Sequence, residues 1–279
     1  MLTLHSAIPI IMGANIGTTV TCTIVSFGYL GRKIEFERSF RASIVHDLFN
    51  ISATLLLFPL EMSIGLIYRS SQFMVGIFRG MGGFELVSPL NVAIDPISNL
   101  AVSIIGSNFV LLVCALALLF FSMSRIVKNM KGIVLDKIER ILNNYLFRNA
   151  AINMLFGCCF TAIIQSSSIA TSIVVLLIGA GLLTIEQLFP YTLGSNVGTT
   201  VTAMLAALSL GSGPAIAVAF AHFLFNVFGI TLIYPVRRIP IGLAKVIAKF
   251  VAQSKRHFLI FILFFLLLHF IPIIFAIIH

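Results

Sequence analysis

The stretch Gly13–Thr21 reads GANIGTTVT, and Gly194–Thr202 repeats it as GSNVGTTVT, 181 positions further along the chain. More matches flank both stretches at nearly the same spacing. Those downstream, at an offset of 176, pair His46 with His222, Phe49 with Phe225, Asn50 with Asn226 and Pro59 with Pro235. Self-similarity at one period is typical of a structural unit that has been duplicated. We therefore predict two copies of one helical unit.

The composition indicates a membrane protein. Of the 279 residues, 59% are apolar and 10% are charged, whereas a soluble domain carries about 25% charged residues. Ala101–Met123 contains no charged residue and exceeds the length of about 20 residues that a membrane-spanning helix needs. We predict an all-α polytopic protein of the plasma membrane, or of the inner membrane if the cell is bacterial.

The net charge of +9 is concentrated in a few connections. Most of the 18 Lys and Arg residues lie within 32–41, 125–148 and 237–256, with apolar stretches between them. This distribution is typical of the positive-inside rule. A nucleic-acid-binding protein would carry one basic face instead, so we expect a lipid bilayer around the chain and no nucleic-acid partner.

The connections also indicate that the two copies have opposite orientations. Gly31–Arg41 is basic, and its counterpart Gly211–Gly213 is uncharged; Arg237–Arg256 is basic, and the stretch after Pro59 carries little charge. Equivalent connections of opposite basicity are expected on opposite sides of the membrane. An inverted repeat of this kind is common in transporters, which bind their substrate between the two copies.

We divide the chain into four parts. Residues 1–68 form an incomplete first repeat, residues 69–148 a connecting span (97–123) and a cytoplasmic amphipathic helix (125–148), and residues 149–236 the second repeat. Residues 237–279 form an interfacial segment and a last transmembrane helix. In both copies we expect the glycine-rich stretch to break its helix, because irregular backbone survives at membrane depth only inside protein or beside a wet cavity.

The polar side chains of the duplicated stretch are candidate ligands. Amide and hydroxyl oxygens suit a hard cation such as sodium, and the N-terminus of a broken helix favours an anion. The candidates are Asn15, Thr18 and Thr19 in the first copy and Asn196, Thr199, Thr200 and Thr202 in the second. The alternative is that small residues and threonines only pack the helices together.

A second polar cluster, Gln165–Ser168 (QSSS), lies between Ile164 and Ile169. Four consecutive polar side chains need several partners if they are buried, and they could surround an anion and a cation together. The alternative is a polar turn at the end of a helix. The individual candidates are Gln165, Ser166, Ser167 and Ser168.

Asp47 is the most informative acidic residue. It lies among apolar neighbours, where an intramembrane carboxylate is a functional candidate, and its repeat partner is Phe223. We weigh one extra cation site against an interfacial aspartate near Arg41. His46 and His222 are predicted to orient neighbouring helices by hydrogen bonds rather than to bind ligands.

The sequence contains no enzyme constellation. We find no nucleophile elbow, phosphate-binding loop or zinc spacing, so we predict neither an enzyme nor a transition-metal site. The only metal that we expect is sodium.

Five blocks of the sequence resemble the type II sodium–phosphate cotransporter family. They are AIPIIMGANIGTTVT (7–21), VHDLFN (45–50), QSSS (165–168), LGSNVGTTVTAMLAA (193–207) and HFLFNVFGITLIYP (222–235). The resemblance implies sodium-driven uptake of inorganic phosphate by alternating access, with sodium as coupling ion and no other cofactor. It implies phosphate and sodium ligands at Gln165, Ser166, Ser167, Thr199 and Thr202, and an additional sodium at Asp47.

The resemblance also implies a QSSS element in each repeat. Gln165 precedes Gly194 by 29 residues, and the same spacing before Gly13 falls upstream of Met1. We expect a fragment of an ordinary transporter. The alternatives are a complementing N-terminal half or a homo-oligomer that rebuilds the site, and a membrane partner subunit that does not transport. Another small oxyanion, such as sulfate or arsenate, remains an alternative substrate.

Overall fold

The computed structural model describes residues 4–78, 89–107, 109–115, 117–118, 121–122, 147–210 and 212–278. In these ranges the secondary structure is helical and contains no strand. The prediction of an all-α membrane protein is therefore confirmed. The predicted amphipathic helix at 125–148 lies outside the described residues, apart from its last two positions.

The described residues between Leu4 and Ile105 form five α-helices. Their bounds are Leu4–Thr18 (α1), Val20–Ser26 (α2), Lys33–Ile64 (α3), Leu66–Phe78 (α4) and Pro89–Ile105 (α5). A short 3₁₀ turn, Phe27–Tyr29, follows α2. Only Thr19 separates α1 from α2, so the interruption predicted within Gly13–Thr21 is one residue long.

Six further α-helices lie within the described residues from 147 to 278. Their bounds are Ala150–Ile164 (α6), Ser167–Gly179 (α7), Ile185–Leu210 (α8), Gly213–Ile233 (α9), Arg238–Gln253 (α10) and Lys255–Ile278 (α11). A 3₁₀ turn, Tyr234–Val236, joins α9 to α10. The basic segment that we expected at the membrane interface is thus a separate helix, and the predicted last span is also helical.

Three described segments are long and apolar enough to cross a membrane: Leu4–Tyr29, Lys33–Ile64 and Gly213–Val236. The predicted span over 97–123 is interrupted within the described residues. Helix α5 ends at Ile105, and Gly106 has a left-handed backbone with φ of 62°. This conformation is accessible to glycine because it lacks a Cβ atom, and helical backbone resumes at Phe109.

Helix α3 begins at Lys33, inside the basic connection, and ends at Ile64. Gly65, which has a left-handed backbone with φ of 62°, follows it. The buried Glu61 carboxylate accepts the backbone N–H of Ile67 at 2.6 Å and that of Tyr68 at 3.2 Å. Since the first N–H groups of a helix lack partners within it, Glu61 caps α4 and fixes its direction after the turn.

Among the described helices, α6 and α8 make the most extensive contact. A Cβ atom on Gly157 would overlap the Tyr191 carbonyl, one on Gly194 the Met154 carbonyl, and one on Gly198 the Cys158 carbonyl. Small residues allow membrane helices to approach at backbone distance. The glycines of the second copy therefore serve helix packing.

Two basic connections meet at one end of the molecule. The ring of Phe36, near the start of α3, lies 5.9 Å from that of Phe258 in α11. At the same end, Lys245 of α10 forms an ion pair of 2.6 Å with Glu186, in the first turn of α8. The starts of α3, α8 and α11 and the helix α10 thus share one end.

Candidate functional site

A small polar cavity lies where the two copies of the repeated stretch meet. Its volume is about 50 Å³, which exceeds the roughly 10–15 Å³ that one water molecule requires. Residues from α1, α7, α8 and α9 line it: Ala14, Asn15, Thr18, Ser167, Asn196, Thr199 and His222. Apart from the imidazole, these side chains carry no ionisable group, so hydroxyls, amides and backbone groups provide its polarity.

Hydrogen bonds cross between the copies beside this cavity. His46 of α3 contacts Asn196 Oδ1 through Nε2 at 2.8 Å, and His222 of α9 contacts Asn15 Oδ1 in the same way at 3.3 Å. His46 pairs with His222 in the repeat, and Asn15 pairs with Asn196. Both histidines thus make the interhelical hydrogen bonds that were predicted for them.

Asn50 connects the two repeated asparagines. Its Nδ2 donates to the Asn15 backbone carbonyl at 2.7 Å, and its Oδ1 accepts from Asn196 Nδ2 at 2.9 Å. Because the Asn196 amide nitrogen is used in this way, Asn196 Oδ1 is the acceptor in its contact with His46, and His46 carries its proton on Nε2. Helix α3 is thereby hydrogen-bonded to both glycine-rich stretches.

The threonine hydroxyls of both copies donate to carbonyls of their own helices. Thr18 donates to Asn15 at 2.8 Å and Thr199 to Ser195 at 3.3 Å. The remaining bonds of this kind are Thr19 to Ile16 at 2.6 Å, Thr200 to Val197 at 2.6 Å and Thr202 to Thr199 at 2.8 Å. A hydroxyl that donates its proton in this way keeps oxygen lone pairs free as acceptors. Such oxygens suit a hard cation.

The QSSS element forms the sharp turn between α6 and α7. Gln165 has a left-handed backbone with φ of 58°, and the Ser166 hydroxyl caps α7 by accepting the Ile169 N–H at 3.3 Å. Ser167 opens the helix and lines the cavity. Ser168 donates to the Thr18 carbonyl at 3.2 Å, which connects α7 to the first copy.

Asp47 is buried in α3 and faces the break between α1 and α2. Its Oδ2 accepts the Thr23 hydroxyl at 3.3 Å, and the Thr19 hydroxyl also lies beside the carboxylate. Its other oxygen, Oδ1, is buried without a hydrogen-bond partner. The Asp47 side chain is therefore enclosed by protein.

The structure brings five of the twelve candidate ligands to the cavity, namely Asn15, Thr18, Ser167, Asn196 and Thr199. The others lie outside its lining: Gln165, Ser166, Ser168, Thr19, Thr200, Thr202 and Asp47. The expected helix break at the second glycine-rich stretch is wrong. Gly194–Thr202 lies within the continuous helix α8, and the break in the second copy falls at Gln165 and Ser166 instead.

Two polar residues that the sequence did not select belong to the site. His222 lines the cavity, and Asn50 holds the two repeated asparagines. The sequence did contain a signal for these two residues, because both positions recur at the offset of 176. Recurrence marks a position as shared by the copies, but it does not say which residues face each other.

Comparisons with known proteins place these features in a family context. The profile of the family described as Na+/Pi-cotransporter matches residues 118–270. Sodium-dependent phosphate transport protein 2A of Ovis aries is 31% identical over 335 aligned positions, which cover 91% of this chain and 52% of that protein. Protein 2B of Bos taurus is 30% identical, with 96% and 53% covered. The chain thus spans about half the length of these relatives. No solved structure matches it.

Proposed function

The chain belongs to the Na+/Pi-cotransporter family, and on this premise we propose that it takes part in sodium-coupled symport of inorganic phosphate across the plasma membrane. The observation that carries the proposal is the polar cavity at the meeting point of the two copies. Membrane transporters bind their substrates in this kind of position. The names of the relatives, which are sodium-dependent phosphate transport proteins, supply the two ions.

The anion is proposed to bind at the start of α7. The first turn of a helix directs unpaired N–H groups outward, and its dipole favours negative charge. Ser167 lies in this turn and lines the cavity. We assign Gln165, Ser166, Ser167 and Ser168 to the phosphate site, with the Gln165 amide and the hydroxyls of Ser166 and Ser167 as donors, while the Ser168 hydroxyl donates to the Thr18 carbonyl.

Sodium is proposed to bind the oxygens of the two repeated stretches. Thr18 and Thr199 line the cavity with hydroxyls whose protons are already engaged. Their free lone pairs, together with the amide oxygens of Asn15 and Asn196, offer ligands of the class that hard cations prefer. Further hydroxyl oxygens on the same stretches come from Thr19, Thr200 and Thr202.

Asp47 is proposed to hold an additional sodium ion. The carboxylate has a buried oxygen without a partner, and two threonine hydroxyls lie beside it. A buried carboxylate is costly unless it is paired or binds a cation. Because the equivalent residue is Phe223, we expect this ion only on the side of the first copy.

Alternating access is proposed to follow from opposite orientation of the copies. The starts of α3 and α8 share one end of the molecule, and the 26 residues of α8 extend about 39 Å at 1.5 Å per residue. Gly213 therefore lies near the far end from Lys33, although the connections before them are equivalent in the repeat. This placement and the paired His–Asn bonds support an inverted repeat that rocks around the cavity.

Uptake of labelled phosphate by transport-deficient cells tests the proposal. We compare the chain, and the same reading frame read further upstream, with and without sodium. Thr199→Ala and Gln165→Ala should each reduce sodium-dependent uptake at least about tenfold, which corresponds to about 1.4 kcal/mol of ligand binding. Thr231→Ala is the matched control, because Thr231 makes the same kind of bond to its own helix, to Val227 at 2.8 Å, on the exposed side of α9. Equal uptake by all three variants would remove the site assignment.

The charge carried per phosphate tests Asp47 separately. We expect Asp47→Gly to lower the number of charges moved per phosphate by about one, because the additional cation loses its carboxylate ligand. Simultaneous measurement of current and labelled phosphate gives this ratio directly. An unchanged ratio in a variant that still transports would contradict the extra sodium site.

A further inference from the structure

Helix α10 presents three distinct faces. Its packed face, which includes Ile241, Ala244 and Ala248, is buried and contacts α3. A second, apolar face is exposed, with Ile239, Leu243, Val246 and Phe250 at helical spacing and between 44% and 66% accessible. The third face carries the exposed cations Arg238, Lys245 and Lys249. A helix with an exposed apolar stripe beside a basic face is typical of one that lies in the plane of the membrane interface.

A cavity of about 510 Å³ opens beside the basic face of this helix. The charged residues that line it are Glu186, Arg237, Arg238 and Lys245, with the ring of Tyr234 next to them. Three cations therefore face a single carboxylate, and the cavity has an excess of two positive charges. The cavity lies at the end where the basic connections meet, far along α8 from its other end at Leu210.

The side chains around this cavity are partly held in place. Lys245 Nζ lies 2.6 Å from Glu186 Oε1, and the Arg237 guanidinium lies 4.8 Å above the centre of the Tyr234 ring. The guanidinium of Arg41, in α3, acts on the same carboxylate, and its Nε is buried without a hydrogen-bond partner. Burial works to raise the pKa of the Glu186 carboxyl, but the hydrogen bond from Lys245 and the charges of Lys245 and Arg41 leave that pKa below its ordinary value. The local field thus favours anions.

We propose that this cavity binds the phosphate headgroup of an anionic phospholipid. The excess of positive charge complements a phosphate, and a guanidinium can form two parallel hydrogen bonds to its oxygens. The exposed stripe that includes Leu243 and Val246 lies on the same helix, where the acyl chains of a bound lipid would run. A free phosphate ion would use the charges but would make no contact with this stripe. Basic cavities between membrane helices are suitable for such headgroups.

Native mass spectrometry of the full chain in detergent, titrated with phosphatidylglycerol or phosphatidylcholine, tests the proposal. We expect one phosphatidylglycerol to bind about tenfold more tightly than phosphatidylcholine. The double variant Arg237→Gln/Arg238→Gln should lose this preference. The matched double variant Lys249→Gln/Arg256→Gln removes the same charge from exposed positions outside the cavity and should keep it. An equal loss in both variants would overturn the proposal, because diffuse surface charge would then explain the binding.

Two further measurements separate the remaining explanations. Glu186→Gln removes the competing carboxylate and frees Lys245, so we expect phosphatidylglycerol to bind more tightly, whereas a purely structural ion pair predicts weaker binding or none. Inorganic phosphate added in millimolar excess should leave the bound lipid in place. Displacement of the lipid by phosphate would overturn the assignment in favour of a free ion. None of these readouts depends on transport, so they stand apart from the test of sodium-coupled uptake.

Discussion

The two copies of the glycine-rich stretch have almost the same sequence but different surroundings. In the first copy, the chain breaks at Thr19, and a Cβ atom on Gly13 or Gly17 would meet no described heavy atom within 4 Å. In the second copy, α8 continues through the stretch, and Gly194 and Gly198 lie against the backbone of α6. The same glycines are therefore a packing surface in one copy and an open face in the other.

The two stretches differ in polarity at one position, and this difference also separates the packed second copy from the open first copy. Ser195 replaces Ala14, and its hydroxyl lies 2.6 Å from the Thr161 hydroxyl and 3.3 Å from that of Thr171. It thus connects α6, α7 and α8 inside the second copy. Ala14 lines the cavity instead. A polar group appears where helices must be joined, and a methyl group appears where the stretch faces the cavity.

The largest effect is expected when the packing surface is disturbed. Gly194→Val should prevent folding, because its Cβ would overlap the Met154 carbonyl and force two helices apart, at a cost of about 3 kcal/mol or more. Gly13→Val should change the free energy of unfolding by less than about 1 kcal/mol. The yield of monodisperse protein in detergent compares the two variants. Similar yields for the two variants would show that the copies do not differ in this way.

A smaller effect is expected at the two histidine–asparagine hydrogen bonds that join the copies. His46→Ala leaves the buried Asn196 oxygen without its partner and should lower the free energy of unfolding by about 2 kcal/mol. His222→Ala should cost about half as much, because its bond of 3.3 Å is longer and only partly buried. Unfolding in a series of detergent mixtures measures both values. His46→Gln and His222→Gln, which retain an N–H donor, serve as controls and should recover part of each loss.

The smallest effect is expected at the position that differs between the stretches. Ser195→Ala removes one hydroxyl from a buried group of three and should cost about 1 kcal/mol. The reverse exchange, Ala14→Ser, adds a hydroxyl at the cavity and should change stability by less than about 0.5 kcal/mol. A larger change for Ala14→Ser than for Ser195→Ala would contradict the difference in packing.

Much of the site was predictable because duplication marks shared positions. Five residues that were selected from the sequence line one cavity, namely Asn15, Thr18, Ser167, Asn196 and Thr199. The break in the second copy was assigned to the wrong place, since glycine was read as a helix breaker. In α8, glycines are tolerated because α6 packs against them, and the turn needs the left-handed backbone of Gln165 instead.

The helix break at Thr19 could not be predicted from the local sequence either. Thr19 and its counterpart Thr200 both donate to the carbonyl three residues earlier at 2.6 Å, so this local bond does not cause the break. The two positions differ in their surroundings. Asp47 lies beside Thr19, whereas its counterpart Phe223 packs in an apolar cluster with Phe220. Local sequence alone could not distinguish the two outcomes.

The sequence by itself determined the membrane class, the duplication and the residue types of the site, because composition, periodicity and recurring polar groups are properties of the chain. Only the tertiary structure decided which residues meet. It joined His46 to Asn196, placed Asn50 between two asparagines and turned Glu61 into the cap of α4. These pairings depend on the approach of segments that are distant in the chain, since a buried polar group takes whichever partner the packing brings within hydrogen-bond distance.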